Sequence, residues 1–428
     1  MSKYEHFVFK RYDFDTSQKT LKLYYGYDEA LEFCETYHFD FEFTDYDKAA
    51  LDRAIQLLFF VAGVSYYKAY AAPDISVQAG EIDNPLAAFL QQTYQKGLGE
   101  FFYVNKLDPR TVITFPTNTE QLAPLSLSSG SGQLIGLGGG KDSLVSVGIL
   151  RDQPKVATWS LNHRSQLEPL VERVGLPHFW VGREWDAQLQ SLNQADALNG
   201  HVPISAIIGS VGVIVAILTG YQDVVVSNES SASEPNLHYD GVAINHQYSK
   251  SLEFEQSFQS CLKNLLGYGV RYYSLLRPFT ELRIGELFAQ RDFETYKDVF
   301  SSCNRAFTHD QHHLFWCGEC PKCAFVFMIL TPFIEREKLE QLWNGKNLLL
   351  DPSLETTYRK LLGIEGDKPL DCVGEVKEAR AAMRLCQQQY PELAKYEFEL
   401  PDDYDFRQWS EHAMPDSVFT VLKNKIAD

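Results

Sequence analysis

The chain has 428 residues, and 39 Lys and Arg against 57 Asp and Glu leave a formal charge of −18. Hydrophobic residues make up 45% and charged residues 22%, the balance of an ordinary globular protein, which excludes disorder, collagen-like repeats and disulfide-stapled miniature folds. The length favours two domains over one, and the charge argues against a nucleic-acid partner, because that affinity comes largely from Lys and Arg neutralising phosphates.

The N-terminus, Met1-Ser-Lys-Tyr-Glu-His, is polar and lacks the apolar stretch of a signal peptide. Residues 1–48 are rich in Tyr and Phe with partial alternation, as in His6-Phe-Val-Phe-Lys and Thr20-Leu-Lys-Leu-Tyr-Tyr. Period-two patterns broken by Asp, Ser and Gly predict a short antiparallel meander. From Asp47 the period changes, and Ala50, Ile55, Leu58, Phe59 and Ala62 fit one face of a helix. A second helix is expected over 86–102, with Gly97 and Gly99 near its end. The Ser/Gly/Pro-rich stretch 116–132 reads as a connector and places a domain boundary near 125.

Beyond the connector, strand-like runs at 134–137, 156–160, 179–181, 224–227 and 271–275 alternate with helix-like runs. The helices are expected at 141–150, 166–174, 204–219, 252–266 and 281–289. That alternation implies a largely parallel sheet covered on both faces. The window 202–221 carries no charge and approaches the length that spans a bilayer. Pro203 suits a first helical turn, and the flanks lack the Lys/Arg asymmetry of an anchor. It reads as a buried helix, with no membrane partner, and a cytoplasmic location follows. The last 80 residues are helical in pattern but polar and without a chemical motif. The fold class is therefore α/β. An N-terminal α+β domain (1–125) precedes a Rossmann-like, mostly parallel-sheet domain (126–345) with a four-Cys metal site, and a helical extension (346–428) follows.

The most informative stretch is Leu134-Ile-Gly-Leu-Gly138-Gly139-Gly140-Lys141-Asp142-Ser143. An apolar strand runs through glycines into a helix start, so backbone N–H groups and the helix dipole can converge on an anion. A Walker A loop needs Ser or Thr directly after Gly-Lys, where Asp142 stands. A dinucleotide fingerprint from Gly136 needs glycine at 141, which is Lys. What remains resembles the Ser-Gly-Gly-x-Asp-Ser loop of the PP-loop ATP pyrophosphatases, which holds the β,γ-pyrophosphate of ATP while AMP is transferred. Gly138 stands where that family usually has Ser, so one hydroxyl contact is lost.

Eight cysteines occur, and Cys303, Cys317, Cys320 and Cys323 fall in a C-x13-C-x2-C-x2-C pattern. Four thiolates at this spacing can close a tetrahedral zinc site. An iron–sulfur cluster can use similar spacing, and zinc is preferred. Four protein ligands leave no open position, so the site reads as structural. Cys34, Cys261, Cys372 and Cys386 read as buried small hydrophobes.

Among PP-loop enzymes, Val202-Pro203 and the four-Cys cluster resemble 7-cyano-7-deazaguanine synthase, although the polar loop 227–250 differs. An AMP-forming ligase or nucleotide-modifying enzyme of that kind is the alternative reading. A closer resemblance is to the UDP-N-acetylmuramoyl-L-alanyl-L-glutamate epimerase family (MurL). It is carried by Val61-Ala-Gly-Val-Ser-Tyr-Tyr-Lys68, Gly97-Leu-Gly-Glu-Phe101, Gly138–Ser143 and Asn199-Gly-His-Val-Pro203. It continues through the 227–250 loop, Tyr273-Ser-Leu-Leu-Arg-Pro278, Phe300-Ser-Ser-Cys-Asn304 and Trp316–Cys323. The resemblance implies an enzyme that inverts the terminal L-Glu of UDP-MurNAc-L-Ala-L-Glu, consuming ATP with Mg²⁺ and releasing AMP and pyrophosphate. Adenylation would make the α-hydrogen acidic, since the mixed anhydride delocalises a carbanion that a free carboxylate repels. No pyridoxal-lysine pattern is visible.

Residue type and position suggest the roles. Gly138, Gly139, Gly140 and Ser143 would hold pyrophosphate. Lys141 would neutralise it, or else be a solvated helix-start residue. Asp142 and Glu229 are candidates for Mg²⁺, a hard cation preferring carboxylate oxygens. Trp159, Ser160 and Asn162 would line the adenosine site. His201, His246 and Lys250 are candidates for proton transfer, with a structural hydrogen-bonding role as the alternative for each His. Arg277 or Arg305 would bind substrate carboxylates or UDP, or form structural ion pairs. The N-terminal domain would hold the UDP-sugar end. Oligomeric state is not readable from the sequence.

Overall fold

A computed structural model describes residues 3–125, 127, 129–308 and 311–427. Ser126 and Ser128 of the expected connector, and Met1 and Ser2 of the N-terminus, lie outside them.

The protein is mixed α/β, organised on one nine-stranded, mostly parallel sheet. The strands are β1 (His6–Asp15), β2 (Thr20–Tyr27), β3 (Leu31–Asp40), β4 (Asp74–Val77), β5 (Gln133–Gly136) and β6 (Val156–Leu161). They continue with β7 (His178–Glu184), β8 (Asp223–Val226), β9 (Leu237–Tyr239), β10 (Val242–Ile244) and β11 (Arg271–Ser274). The large sheet runs β11-β8-β5-β6-β7-β3-β2-β1-β4, and β9 and β10 form a separate hairpin. The strands β11, β8, β5, β6 and β7 are mutually parallel. The antiparallel meander of β1, β2 and β3 joins them edge to edge where β3 pairs with β7.

The two halves of the sheet are covered differently, as their sequence periods require. In the parallel half both faces are buried: Leu134, Val224 and Tyr272 pack into one core, while their neighbours Ile135, Val225 and Tyr273 pack into the other. Strands covered on both sides become continuous apolar runs. In the meander only one face is covered, by Phe7, Phe9, Leu21, Leu23, Tyr25 and Phe33 among others, which gives the alternation seen in the sequence.

The first core is closed by helices Lys48–Ala62, Ile204–Thr219 and Leu252–Leu266. The second is closed by Lys141–Leu150, Glu281–Arg291 and Pro321–Leu330. The uncharged 202–221 window is thus a core helix. It lies directly on the sheet because Gly212 has no side chain; a Cβ there would stand 2.8 Å from Val224 and 2.9 Å from Trp159. Residues 48–67 are long and apolar enough to cross a membrane by composition, and they too are buried within the protein.

Three expectations need correction. The helix expected over 86–102 breaks at Leu98 (φ −94°, ψ 11°) into Asn84–Gly97 and Gly99–Val104. The 227–250 loop contains the β9–β10 hairpin flanked by two 3₁₀ turns, Ser230–Ser233 and Tyr248–Lys250. Strand β4, too short to register as a period, adds a parallel edge to β1.

Candidate functional site

Strand β5 is flanked by β6 on one side and β8 on the other. The chain therefore changes direction across the sheet beside β5, the position where open α/β sheets bind ligands at the carboxyl ends of their strands. The glycine loop occupies that edge. Leu137 N–H donates to Trp159 O at 2.9 Å, and Ser301 N–H donates to Gly139 O at 2.9 Å. Gly139 has φ +89°, and a Cβ there would press on Leu167 and Phe307 at 3.0 Å. At Gly138, by contrast, a Cβ would meet nothing within 4 Å. Gly140 precedes the helix Lys141–Leu150, and no side chain caps that helix start.

A cavity of about 520 Å³ opens at this edge. It brings together Gly138, Gly140, Asp142 and Ser143 with Trp159, Ser160, Asn162 and Lys250, all singled out from the sequence. Ser143 Oγ donates to Gly140 O at 3.0 Å, and Ser160 Oγ donates to Leu137 O at 2.7 Å. The Trp159 indole N–H is buried without a hydrogen-bond partner. Asn162 and His163 take consecutive left-handed conformations (φ 61° and 59°). Asn162 holds its bend by donating to Arg183 O at 3.0 Å and accepting from Arg183 N–H at 2.5 Å. A larger cavity of about 1130 Å³ shares Asn162, His163, Arg183 and Trp185 with the first, and extends to His38, Arg164 and Trp180.

Lys141 is not a solvated helix-start residue. It is 1% exposed, bonds Asp142 at 2.5 Å and forms an ion pair with buried Glu281. Lys322 approaches the other oxygen of Glu281 at 3.1 Å. Burial opposes the charge on Glu281, but the two ammonium groups hold its carboxyl low. Glu229 is also buried; burial and then the Glu281 charge raise its carboxyl above the ordinary range.

The rings of His201 and His246 pack at a tilt with centroids 4.1 Å apart, and His246 Nδ1 bonds Glu100. Burial, then the neighbouring His246 charge, lowers His201 to about 4, so it is neutral at physiological pH. Burial opposes charge on His246 as well, but Cys372 and Glu100 raise it to about 9.

Cys372 corrects the sequence reading. It is partly exposed, lines the same cavity as Gly138, Asp142 and Ser143, and accepts from Lys250 Nζ at 3.3 Å. Burial disfavours its thiolate, yet Lys250 and His246 bring the thiol down to about 7. Cys261 and Cys386 are buried as expected. Cys34 is half-buried, and its N–H donates to Asp186 at 2.9 Å.

Neither arginine stands ready for substrate. Arg277 is 1% exposed. Its guanidinium donates to Glu255 at 3.1 Å and to the carbonyls of Lys250, at 2.5 Å, and Glu229. It thereby fixes the backbone of two site residues. Arg305 pairs with Glu319 at 2.6 Å on the surface.

The four sulfurs of Cys303, Cys317, Cys320 and Cys323 lie within 4.8 Å of one another. Cys317 and Cys323 Sγ are 3.7 Å apart, and four thiolates around one zinc at ~2.3 Å would sit about 3.8 Å apart. Glu319 N–H and Cys323 N–H donate to Cys317 and Cys320 Sγ, each at 3.4 Å, stabilising thiolates. The donor set fits a tetrahedral metal ion, and it lies beside the glycine loop rather than in the cavity.

Sequence reasoning missed Cys372, Glu100, Glu281 and Lys322. Lys322 lies inside the Cys320-Pro-Lys-Cys323 turn, and Glu100 is the one charged residue of Gly97-Leu-Gly-Glu-Phe101, so both had a local signal. Cys372 and Glu281 had none.

Comparison with known proteins gives a consistent answer. The MurL N-terminal domain matches residues 1–275 and the MurL C-terminal domain matches residues 299–397. A UDP-N-acetyl-alpha-D-muramoyl-L-alanyl-L-glutamate epimerase of Xanthomonas oryzae pv. oryzae is 39% identical over 388 residues, covering 89% of this chain and 85% of that protein. Proteins of the same name from Salinispora tropica and a Micromonospora species are each 41% identical. They cover 80% and 81% of this chain and 74% and 77% of their own lengths.

Proposed function

This chain belongs to the MurL family, and from that premise we propose that it inverts the α-carbon of the terminal glutamate in UDP-MurNAc-L-Ala-L-Glu. The observation that carries the reading is the match of both family domains over most of the chain, with about 40% identity to proteins named for this epimerisation. The product would feed peptidoglycan precursor synthesis, and a nucleotide-linked substrate of that kind places the reaction in the cytoplasm.

The α-hydrogen beside a free carboxylate is a very weak acid, because its carbanion would sit next to a negative charge. The glycine loop answers that problem as a PP-loop would. Its open side at Gly138 and the uncapped helix start at Lys141 suit a pyrophosphate. With ATP bound, the AMP moiety would transfer to the glutamate α-carboxylate with loss of pyrophosphate, and the mixed anhydride would accept the electron pair of the α C–H bond as an enolate. After reprotonation, water would hydrolyse the anhydride to the free carboxylate and AMP. Gly138, Gly139, Gly140 and Ser143 would hold the pyrophosphate. Asp142, with the nearby carboxylate of Glu229, would hold Mg²⁺, which offsets phosphate charge. Trp159, Ser160 and Asn162 would line the adenosine. The larger cavity, with the Arg164 guanidinium and the aromatic faces of His38 and Trp180, would take the UDP-sugar. The cysteine cluster would hold zinc as a structural ion. Its supporting feature is the four sulfurs gathered within 4.8 Å of one another.

The test is incubation with UDP-MurNAc-L-Ala-L-Glu, ATP and Mg²⁺ in deuterated water. Glutamate should become D and carry one α-deuterium, alanine should stay L and unlabelled, and AMP and pyrophosphate should accumulate. ADP and phosphate would sink the loop assignment. Inversion without ATP would remove the adenylation step.

A further inference from the structure

We infer that Cys372 is one of the two proton-transfer groups of the epimerisation, with its sulfur serving one face of the glutamate α-carbon and Lys250 holding it as a thiolate. This deepens the function proposed above and rests on it.

The argument is one of placement. The cavity that holds the glycine loop is where an adenylated carboxylate would lie, and its proton-accepting side chains are few. Asp142 is engaged by Lys141. Lys322 is spent on Glu281. Arg183 is bound to Glu35 at 2.7 Å. Lys250 is a cation whose charge is favoured by Cys372 and Glu229 against the cost of burial. Cys372 and His163 are the remaining candidate bases of the lining, and the Cys372 sulfur lies 3.3 Å from Lys250 Nζ and interacts with the His246 ring. The groups facing it are therefore two cations in contact, with Lys322 contributing a more distant positive charge. Two carboxylates are also close: Glu100 bonds His246, and Asp371, the neighbour of Cys372 in the chain, accepts from Asn304 and feels the His246 charge. A thiol so surrounded is poised to be a base near neutral pH. His163, which also lines the cavity and packs on Phe307 at 5.2 Å, is the competing base.

The step balances without a further reactant. The thiolate takes the α-proton and becomes a thiol, while the C–H electron pair passes into the carbonyl of the acyl adenylate. A donor on the opposite face, in exchange with water, re-forms the C–H bond with inverted configuration. The thiol then returns its proton to solvent, and water hydrolyses the mixed anhydride of either epimer to the free carboxylate and AMP.

The test uses full-length Cys372→Ala, Cys372→Ser and His163→Ala proteins with the L-Glu and D-Glu epimers separately, each with ATP and Mg²⁺ in deuterated water. AMP release, configuration and α-deuterium are read together. Both Cys372 variants should release AMP within about threefold of the unmodified rate while inversion falls about 10²-fold or more. Deuterium should enter from only one of the two epimers, because the other face keeps its base. The serine variant guards against a folding defect in the alanine variant, since it keeps the shape but not the acidity. Inversion within about threefold of the unmodified rate, or AMP release lost in parallel with inversion, overturns the assignment. So does one-sided exchange that appears in His163→Ala and not in the Cys372 variants. If the unmodified protein inverts glutamate without forming AMP, the adenylation reading fails, while the effect of Cys372 on inversion is still measured.

Discussion

The backbone N–H of Ser301 donates to the carbonyl of Gly139 at 2.9 Å, which ties the segment leading into the cysteine cluster to the centre of the glycine loop. Two residues later Cys303 enters the cluster, and Lys322, between Cys320 and Cys323, reaches the Glu281 that also holds Lys141. Metal analysis should therefore find about one zinc per chain. Cys320→Ser should lose the metal, lower the melting temperature and weaken ATP-dependent AMP release together, since metal binding and folding are coupled. A metal-free protein of undiminished stability would refute this, and so would an iron–sulfur absorption band.

Adjacent glycines should respond unequally to alanine. Gly138→Ala places a methyl in open space, at the position where the PP-loop motif it resembles carries Ser, so the melting temperature should hold and AMP formation should fall far less than in Gly139→Ala. Gly139→Ala forces a side chain into φ +89° against Leu167 and Phe307 and should cost about 1–3 kcal/mol of stability. Chemical denaturation and pyrophosphate release, measured in parallel, separate the two effects.

The ion pairs around Cys372 set a pH expectation. With its thiol lowered to about 7 by Lys250 and His246 against the opposing effect of burial, alkylation by iodoacetamide should rise with pH through about 7 rather than through ~8.5, the value of a free cysteine. The sign follows from the thiolate being the reactive form: below about 7 the site is mostly thiol and slow. Lys250→Met removes the nearest cation and should slow labelling at neutral pH by about tenfold, one pKa unit's worth. Peptide mass spectrometry across pH reads this directly; a Cys372 profile that tracks an ordinary cysteine would contradict it.

Glu35 on β3 and Arg183 on β7 form a buried pair at 2.7 Å, across the junction of the meander and the parallel strands. Glu35→Ala leaves a buried guanidinium unpaired and should lower stability by about 3–5 kcal/mol in urea melts. An effect under 1 kcal/mol (roughly a surface pair's worth) would mean that the junction is wet.

Much of this molecule was legible before any tertiary contact was known. The parallel strands appear in sequence as unbroken apolar runs because both their faces are buried, and the meander as alternation because only one is. The glycine loop and the cysteine spacing are short-range patterns, written within 10 and 21 consecutive residues, so they survive without knowledge of the fold. The helix break at Leu98 and the β9–β10 hairpin were not legible, since both are decided by what the segment packs against.

The sequence by itself determined the order of the parallel strands, the loop's place between strand and helix, the four-thiolate set and the family. Each depends on residues close along the chain or on a resemblance spread over all of it. Only the tertiary structure decided which distant side chains meet. Cys372 reaches Lys250 across 122 positions, and Glu100 reaches His246 across 146. It also decided that Arg277 is buried as a clamp on two backbone carbonyls and that Lys141 is sealed against Glu281. The physical reason is that a side chain's charge state and partner come from burial and through-space fields, which fall off over a few ångströms and bear no relation to separation along the chain.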